Sequence, residues 1–219
     1  MMLVQSLTLG ALKSHCYLVT DEETGDCAVI DPGYDKPELR EAIRPIHAHI
    51  RLILLTHRHF DHISGVSAVL DECRDTAPRP AVYIHALDAC GLEDPNESLL
   101  EQSGEDKAAI PPDVSPILLH DGEEIPLGAS HFQVLHTPGH SAGCVCFLSG
   151  DLLFTGDTLF AGDCGRVDLP TGSAEDMARS LRRLADLPGD YRVLPGHGWE
   201  STLSAERQNN EQIHIAQCN

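Results

Sequence analysis

Four consecutive apolar residues, Leu52-Ile53-Leu54-Leu55, run straight into Thr56-His57-Arg58-His59-Phe60-Asp61-His62. An unbroken apolar run of this kind marks a strand buried on both faces, so the histidines begin at the C-terminal end of that strand. Beyond His62, the residues Ile63, Val66, Val69 and Leu70 keep helical spacing, which places the run in a turn between strand and helix. Three imidazoles and one carboxylate within six residues supply neutral nitrogen and anionic oxygen donors. That mixture suits zinc, iron or manganese rather than calcium or magnesium, which take all-oxygen sites. Packing and capping alone would not crowd three rings and a carboxylate into one turn.

Three more turns repeat the arrangement with a single donor each. Thr137-Pro138-Gly139-His140, Thr155-Gly156-Asp157-Thr158 and Leu194-Pro195-Gly196-His197-Gly198 all follow short apolar segments. Strands are predicted at 3–9, 16–20, 27–31, 52–55, 81–85, 132–136, 144–148, 152–155 and 192–194, from apolar runs and alternation. Helices are predicted over 37–46, from about His62, over 173–187 with Ser173 as N-cap, and from about Ser204. The acidic, Pro-containing stretch 91–116 reads as a long loop or short helices. Strands and helices in two rough halves indicate an α/β layered domain, with helices covering sheets.

The balance of 15 basic against 34 acidic residues gives a net charge of −19. Such a chain repels polyanions, so nucleic acid and anionic membrane surfaces are not expected partners. No apolar run approaches the roughly 20 residues of a membrane span, and the first residues carry no basic, apolar leader. Cytoplasmic residence and one domain over residues 1–219 are the expectations. The eight cysteines lack C-x-x-C spacing, and Cys144 and Cys146 read as strand residues facing a core rather than as ligands.

Taken together, Tyr17-Leu18-Val19, Asp31-Pro32-Gly33, the histidine run and the three turns resemble the metallo-β-lactamase superfamily, nearest to the type II glyoxalases (hydroxyacylglutathione hydrolases). The resemblance implies a four-layer αβ/βα sandwich with metals at one edge between two sheets. It implies that His57, His59 and His140 hold a first ion, that Asp61, His62 and His197 hold a second, and that Asp157 bridges them. Two divalent ions follow, zinc first, with iron or manganese as alternatives. By the same resemblance, His59 stands where diiron flavoprotein relatives carry a glutamate, and Asp157 would supply a carboxylate bridge that true β-lactamases usually lack. Asp61 would also orient the attacking water, while Asp31 would either orient a ligand imidazole or close the Asp-Pro-Gly turn.

The implied activity is hydrolysis of a small-molecule thioester such as S-lactoylglutathione. Long type II glyoxalases clamp glutathione with basic and tyrosine side chains. In Gly162-Asp163-Cys164-Gly165-Arg166-Val167-Asp168, Arg166 matches a basic position, but Asp168 replaces a tyrosine and only 21 residues follow Gly198. Most of that clamp therefore has no counterpart, and the pattern resembles the short prokaryotic glyoxalase-II-like proteins. Arg166 would touch substrate or form an ion pair with a neighbouring aspartate. Two alternatives stand: a persulfide dioxygenase with one iron on His57, His140 and Asp157, and a non-catalytic metal-binding protein. The sequence leaves the oligomeric state open.

Overall fold

Apolar residues alternate between faces along nearly every strand, and this alternation builds the layers. The computed structural model describes residues 1–100, 110–111 and 113–218. One sheet runs β1 (Met2–Leu9), β2 (Ser14–Asp21), β3 (Cys27–Ile30), β4 (Ile50–Leu54), β5 (Ala81–His85), β6 (Ile117–Leu119) in spatial order. Its first three strands are antiparallel neighbours, and β3 to β6 are parallel. The second sheet contains β7 (Glu124–Leu127), β8 (Ser130–His136), β9 (Val145–Ser149), β10 (Leu152–Gly156), β13 (Arg192–Pro195) and β14 (Ser201–Thr202), in the order β14-β13-β10-β9-β8-β7. Between β10 and its parallel partner β13 the chain passes through a small ribbon, β11 (Leu159–Phe160) with β12 (Asp163–Cys164), and helix α4 (Ala174–Ala185).

Tyr17, Val19, Ala28, Ile30, Leu52 and Leu54 pack against Phe132, Val134, Phe147, Phe154 and Leu194 of the other sheet, making the central layer. The alternate residues Cys16, Leu18, Cys27, Val29 and Ile53 turn the other way, under α1 (Pro37–Ile43) and α3 (Val66–Glu72). On the far side Leu135, Cys146, Leu153 and Val193 pack beneath α4, α5 (Leu203–Asn209) and α6 (Glu211–Cys218). The order helices, sheet, sheet, helices is the αβ/βα sandwich expected from the sequence.

Several boundaries differ for local reasons. The helix predicted over 37–46 stops at Ile43 and continues as a 3-10 turn, Arg44–His49, because Pro45 has no N–H to continue the ladder. The helix expected from His62 starts earlier, as α2 (Phe60–Ile63), and breaks before α3 where Gly65 N donates to Pro32 O at 2.7 Å. Strands β6 and β7 were not expected: Ile117 and Leu118 are exposed, and β7 has only two buried residues. Ser173 caps α4 as predicted, its Oγ accepting from Asp176 N at 3.2 Å. Cys144 and Cys146 are buried free thiols. Of the stretch 91–116, residues 101–109 and 112 lie outside the described residues; Ala89–Leu92 forms a 3-10 turn. Among the described residues, no helix is long and apolar enough to cross a membrane.

Candidate metal centre

All seven expected donors lie at one edge, where strands of both sheets end. β4 delivers His57 and His59, α2 carries Asp61 and His62, β8 leads to His140, β10 to Asp157, and β13 to His197. The sheets are tied together at this edge. Val145 N donates to Thr56 O at 2.8 Å, Tyr17 Oη to Pro195 O at 2.6 Å, and His15 N to Gly196 O at 2.8 Å. Two glycines make the close approach feasible: a Cβ on Gly196 would strike Asp157 Oδ1, and one on Gly139 (φ +148°) would strike the backbone of Met177 in α4.

The seven expected donors fall into two groups around Asp157, and a third, overlapping group joins His57 and His62 to Asp31. His57, His59 and His140 offer ring nitrogens within 4.8 Å of one another, and so do the donor atoms of Asp61, His62 and His197. His59 Nδ1 is 2.8 Å from His140 Nε2. In the second group His197 Nε2 is 3.2 Å from Asp61 Oδ2 and 3.3 Å from His62 Nε2. Asp157 stands between the groups, with Oδ2 3.4 Å from His140 Nε2 and Oδ1 3.5 Å from His62 Nε2. His57 Nε2 and Asp157 Oδ1 are buried with no hydrogen-bond partner in the protein.

Outward hydrogen bonds settle where the imidazole protons sit. His140 Nδ1 donates to Arg166 O (2.7 Å), His197 Nδ1 to Leu12 O (3.1 Å), and His62 Nδ1 to Asp31 Oδ2 (3.0 Å). Thr56 Oγ1 donates to Asp31 Oδ2 at 2.5 Å, so it accepts from His57 Nδ1 at 3.0 Å. The His57 and His140 rings then turn an Nε2 lone pair inward, the state a ligating histidine needs, whereas His62, held protonated by the carboxylates around it, would give up its Nε2 proton to a bound cation. Burial, with the neighbouring histidines, pushes His57 well below its ordinary pKa and His59 down to about 3, so both rings are neutral. Burial also opposes charge on His62, yet Asp61, Asp157 and Asp31 lift it to about 10. Burial would raise Asp61, but His62 and His197 hold it below the ordinary carboxylate range. Buried lone pairs 2.8 Å apart on one side and carboxylates drawn to positive charge on the other fit a pair of cations.

Of the two roles open to Asp31, the structure shows it holding an imidazole, that of His62 directly and that of His57 through Thr56. Its carboxylate also accepts from Thr56 N at 2.8 Å, and the residue itself is left-handed (φ +49°) at the end of β3. Arg166 is exposed and paired with Asp168 through two 2.7 Å contacts, while only its carbonyl reaches the centre, through His140. Its side chain thus makes the ion pair that was one of its two expected roles.

Two residues escaped sequence reasoning. Asp88, fully buried, accepts from Arg58 N (3.1 Å), Ser141 Oγ (2.5 Å) and Gly143 N (2.9 Å), so one carboxylate fixes the backbone beside His57, His59 and His140. Arg58 is buried between two donors and reaches Glu97 at 2.6 Å and Thr171 at 3.3 Å. A lone Asp after a strand and an Arg inside a histidine run carry no sequence signal of such roles.

Comparison with known proteins agrees with this architecture. The family model described as the metallo-beta-lactamase superfamily matches residues 9–197. A Streptococcus pyogenes protein named as a probable metallo-hydrolase is 36% identical over 208 residues, covering 90% of this chain and 84% of that protein. The hydroxyacylglutathione hydrolase GloC of Haemophilus influenzae is 28% identical, covering 94% and 96%. Among solved structures, the BLEG-1 B3 metallo-beta-lactamase superposes with a TM-score of 0.84 at 31% identity, covering 95% and 98%. TTHA1623 in a di-iron-bound form superposes with a TM-score of 0.79 at 39% identity, covering 96% and 100%.

Proposed function

The chain belongs to the metallo-beta-lactamase superfamily, and from that premise we propose that it is a binuclear hydrolase of small acyl thioesters, such as S-lactoylglutathione. The observation that carries this reading is the division of the donors into two groups on either side of the Asp157 carboxylate. His57, His59 and His140 would hold one ion, Asp61, His62 and His197 the other, and Asp157 would span both, within a single domain. Two bound divalent ions, zinc by preference and iron or manganese as alternatives, supply Lewis acidity and a water-derived nucleophile at neutral pH.

The chain's own residues have the remaining tasks. Asp31 and the carbonyls of Arg166 and Leu12 hold the imidazole protons outward, which fixes each ring's tautomer and angle. Asp61, within 3.2 Å of His197 Nε2, would ligate one ion and also orient the water it supplies. A thiolate leaves readily, so no strong general acid is required beside the scissile bond. The name of the Haemophilus influenzae relative, similar over nearly both full lengths, supports the thioester assignment. A persulfide dioxygenase using His57, His140 and Asp157 alone would leave the Asp61–His62–His197 group without a task. The di-iron form of TTHA1623 supports two ions rather than one.

Steady-state assays of the metal-loaded protein on S-lactoylglutathione, a β-lactam and glutathione persulfide separate the readings. Thioester turnover far above the other two is expected. Oxygen uptake on the persulfide, or β-lactam opening in preference to the thioester, would overturn it.

A further inference from the structure

The cation that the sequence offers for substrate, Arg166, is held by Asp168. A different positive charge lies on the other flank of the centre. The turn between β1 and β2 carries Leu12, whose carbonyl accepts from His197 Nδ1, and Lys13 directly after it. Beside this turn and the segment following His197 lies a cavity of about 650 Å³, lined by Thr8, Lys13, His15, Trp199 and Glu200 among others. That volume is within the usual range for small-molecule sites.

Three independent features mark the cavity. No described carboxylate pairs with Lys13, whereas the one acidic group in the lining, Glu200, is neutralised by Arg192 at 2.7 Å. The open charge is thus positive, on a chain whose net charge is −19. Lys13 also adopts a left-handed backbone (φ +57°), where glycine or asparagine would be less strained, so a lysine here carries a backbone cost. Finally, the chain's single tryptophan, Trp199, is 84% exposed two residues beyond His197, and Leu12 is 53% exposed on the same flank. Large apolar side chains left in water beside a polar cavity are a recognition feature more than a packing one.

We infer that this cavity seats the thiol carrier of the substrate, with Lys13 pairing an anionic group of the carrier and Trp199 covering its uncharged body. This rests on the thioester reading of the adjoining centre. The shared chemistry is an acidic carrier, whether its charge is the carboxylate of a peptide thiol or the phosphate of a nucleotide thiol.

The single tryptophan makes binding directly readable without turnover. The full-length, metal-loaded protein is titrated with S-methylglutathione, with coenzyme A and with neutral N-acetylcysteamine while Trp199 emission is followed. A saturable change is expected with at least one acidic ligand, and the two acidic arms identify which source is preferred. Lys13→Gln should weaken that binding at least about fivefold and flatten its salt dependence, as expected for loss of one charge-assisted contact. Arg179→Gln, on the far helix α4, serves as the charge-matched control and should bind as wild type. Calorimetric titration of Trp199→Ala should show a comparable loss. No saturable response to either acidic ligand, or a response that Lys13→Gln leaves unchanged, would overturn the assignment. Acidic-ligand binding without S-lactoylglutathione hydrolysis would instead remove the thioester reading and leave the anion-selective cavity standing. Thioester hydrolysis with no Trp199 response would do the reverse.

Discussion

In the proposed centre Asp157 serves both halves, since Oδ2 lies 3.4 Å from His140 Nε2 and Oδ1 3.5 Å from His62 Nε2. Replacing it with alanine removes the carboxylate whose oxygens lie near donors of both groups. Metal analysis of Asp157→Ala should show fewer than two ions per chain and turnover reduced by at least about a thousandfold, the scale on which a directly participating group acts. Full turnover in that variant would contradict the bridging role. Asp31 acts one step away: Asp31→Asn loses the charge that holds His62 Nδ1–H and Thr56, so metal affinity should fall roughly 10- to 100-fold with the fold intact. A competition titration with a chromogenic chelator measures it. At this scale the sequence was legible wherever donors were contiguous or sat in small-residue turns. Asp88 was not legible, because its meaning lies in three partners 30 to 55 positions distant. The role of Arg166 also needed coordinates, since only they separate its side chain, turned to Asp168, from its carbonyl, turned to His140.

The elements that aim these residues are short, and their exact ends matter more than their lengths. Helix α4 buttresses the His140 turn, with Ser180 Oγ donating to Pro138 O at 2.7 Å and Met177 packed against Gly139. Its start depends on Ser173, so Ser173→Ala should cost about 1 kcal/mol and lower the melting temperature by about 2–4 °C, read by calorimetry. Gly196→Ala should do more to the centre than to the fold, because the added methyl meets Asp157 Oδ1 and His62. Loss of metal with a melting temperature close to that of the metal-free wild type is the expected result. The core strands were readable from their apolar runs and two-residue alternation. The edge strands β6 and β7 were not, because a strand with few buried residues leaves no hydrophobic pattern. The break between α2 and α3 was hidden for another reason: helical spacing continues through Gly65, and only its contact with Pro32 shows the interruption.

At the scale of the whole molecule, the metal centre is a joint between the two sheets, and its charges set how stability varies with pH. His57, His59 and the buried His85, the last pushed down to about 4, are neutral in the fold and become charged on unfolding in acid. A base depressed by folding contributes stability that is complete above its unfolded pKa of about 6.5 and lost as pH falls toward the folded value. Asp61, depressed as an acid, adds a loss in the same direction at lower pH. His62, raised to about 10, works oppositely, its contribution fading as pH climbs from about 6.5 toward 10. The metal-free protein should therefore melt highest near neutral pH and lose stability steadily below about pH 6.5, as thermal melts across pH would record. Added metal should raise the melting temperature, because the proposed ligands come from both sheets and meet only in the folded chain. The layered architecture was readable from strand order and donor position together, since all donors follow strands and must meet at one edge. The most direct test of the central claim is to titrate the metal-free protein with zinc while following S-lactoylglutathione hydrolysis. The rate should rise to a plateau at two equivalents per chain. A plateau at one equivalent, or no hydrolysis at any loading, would contradict a binuclear thioester hydrolase.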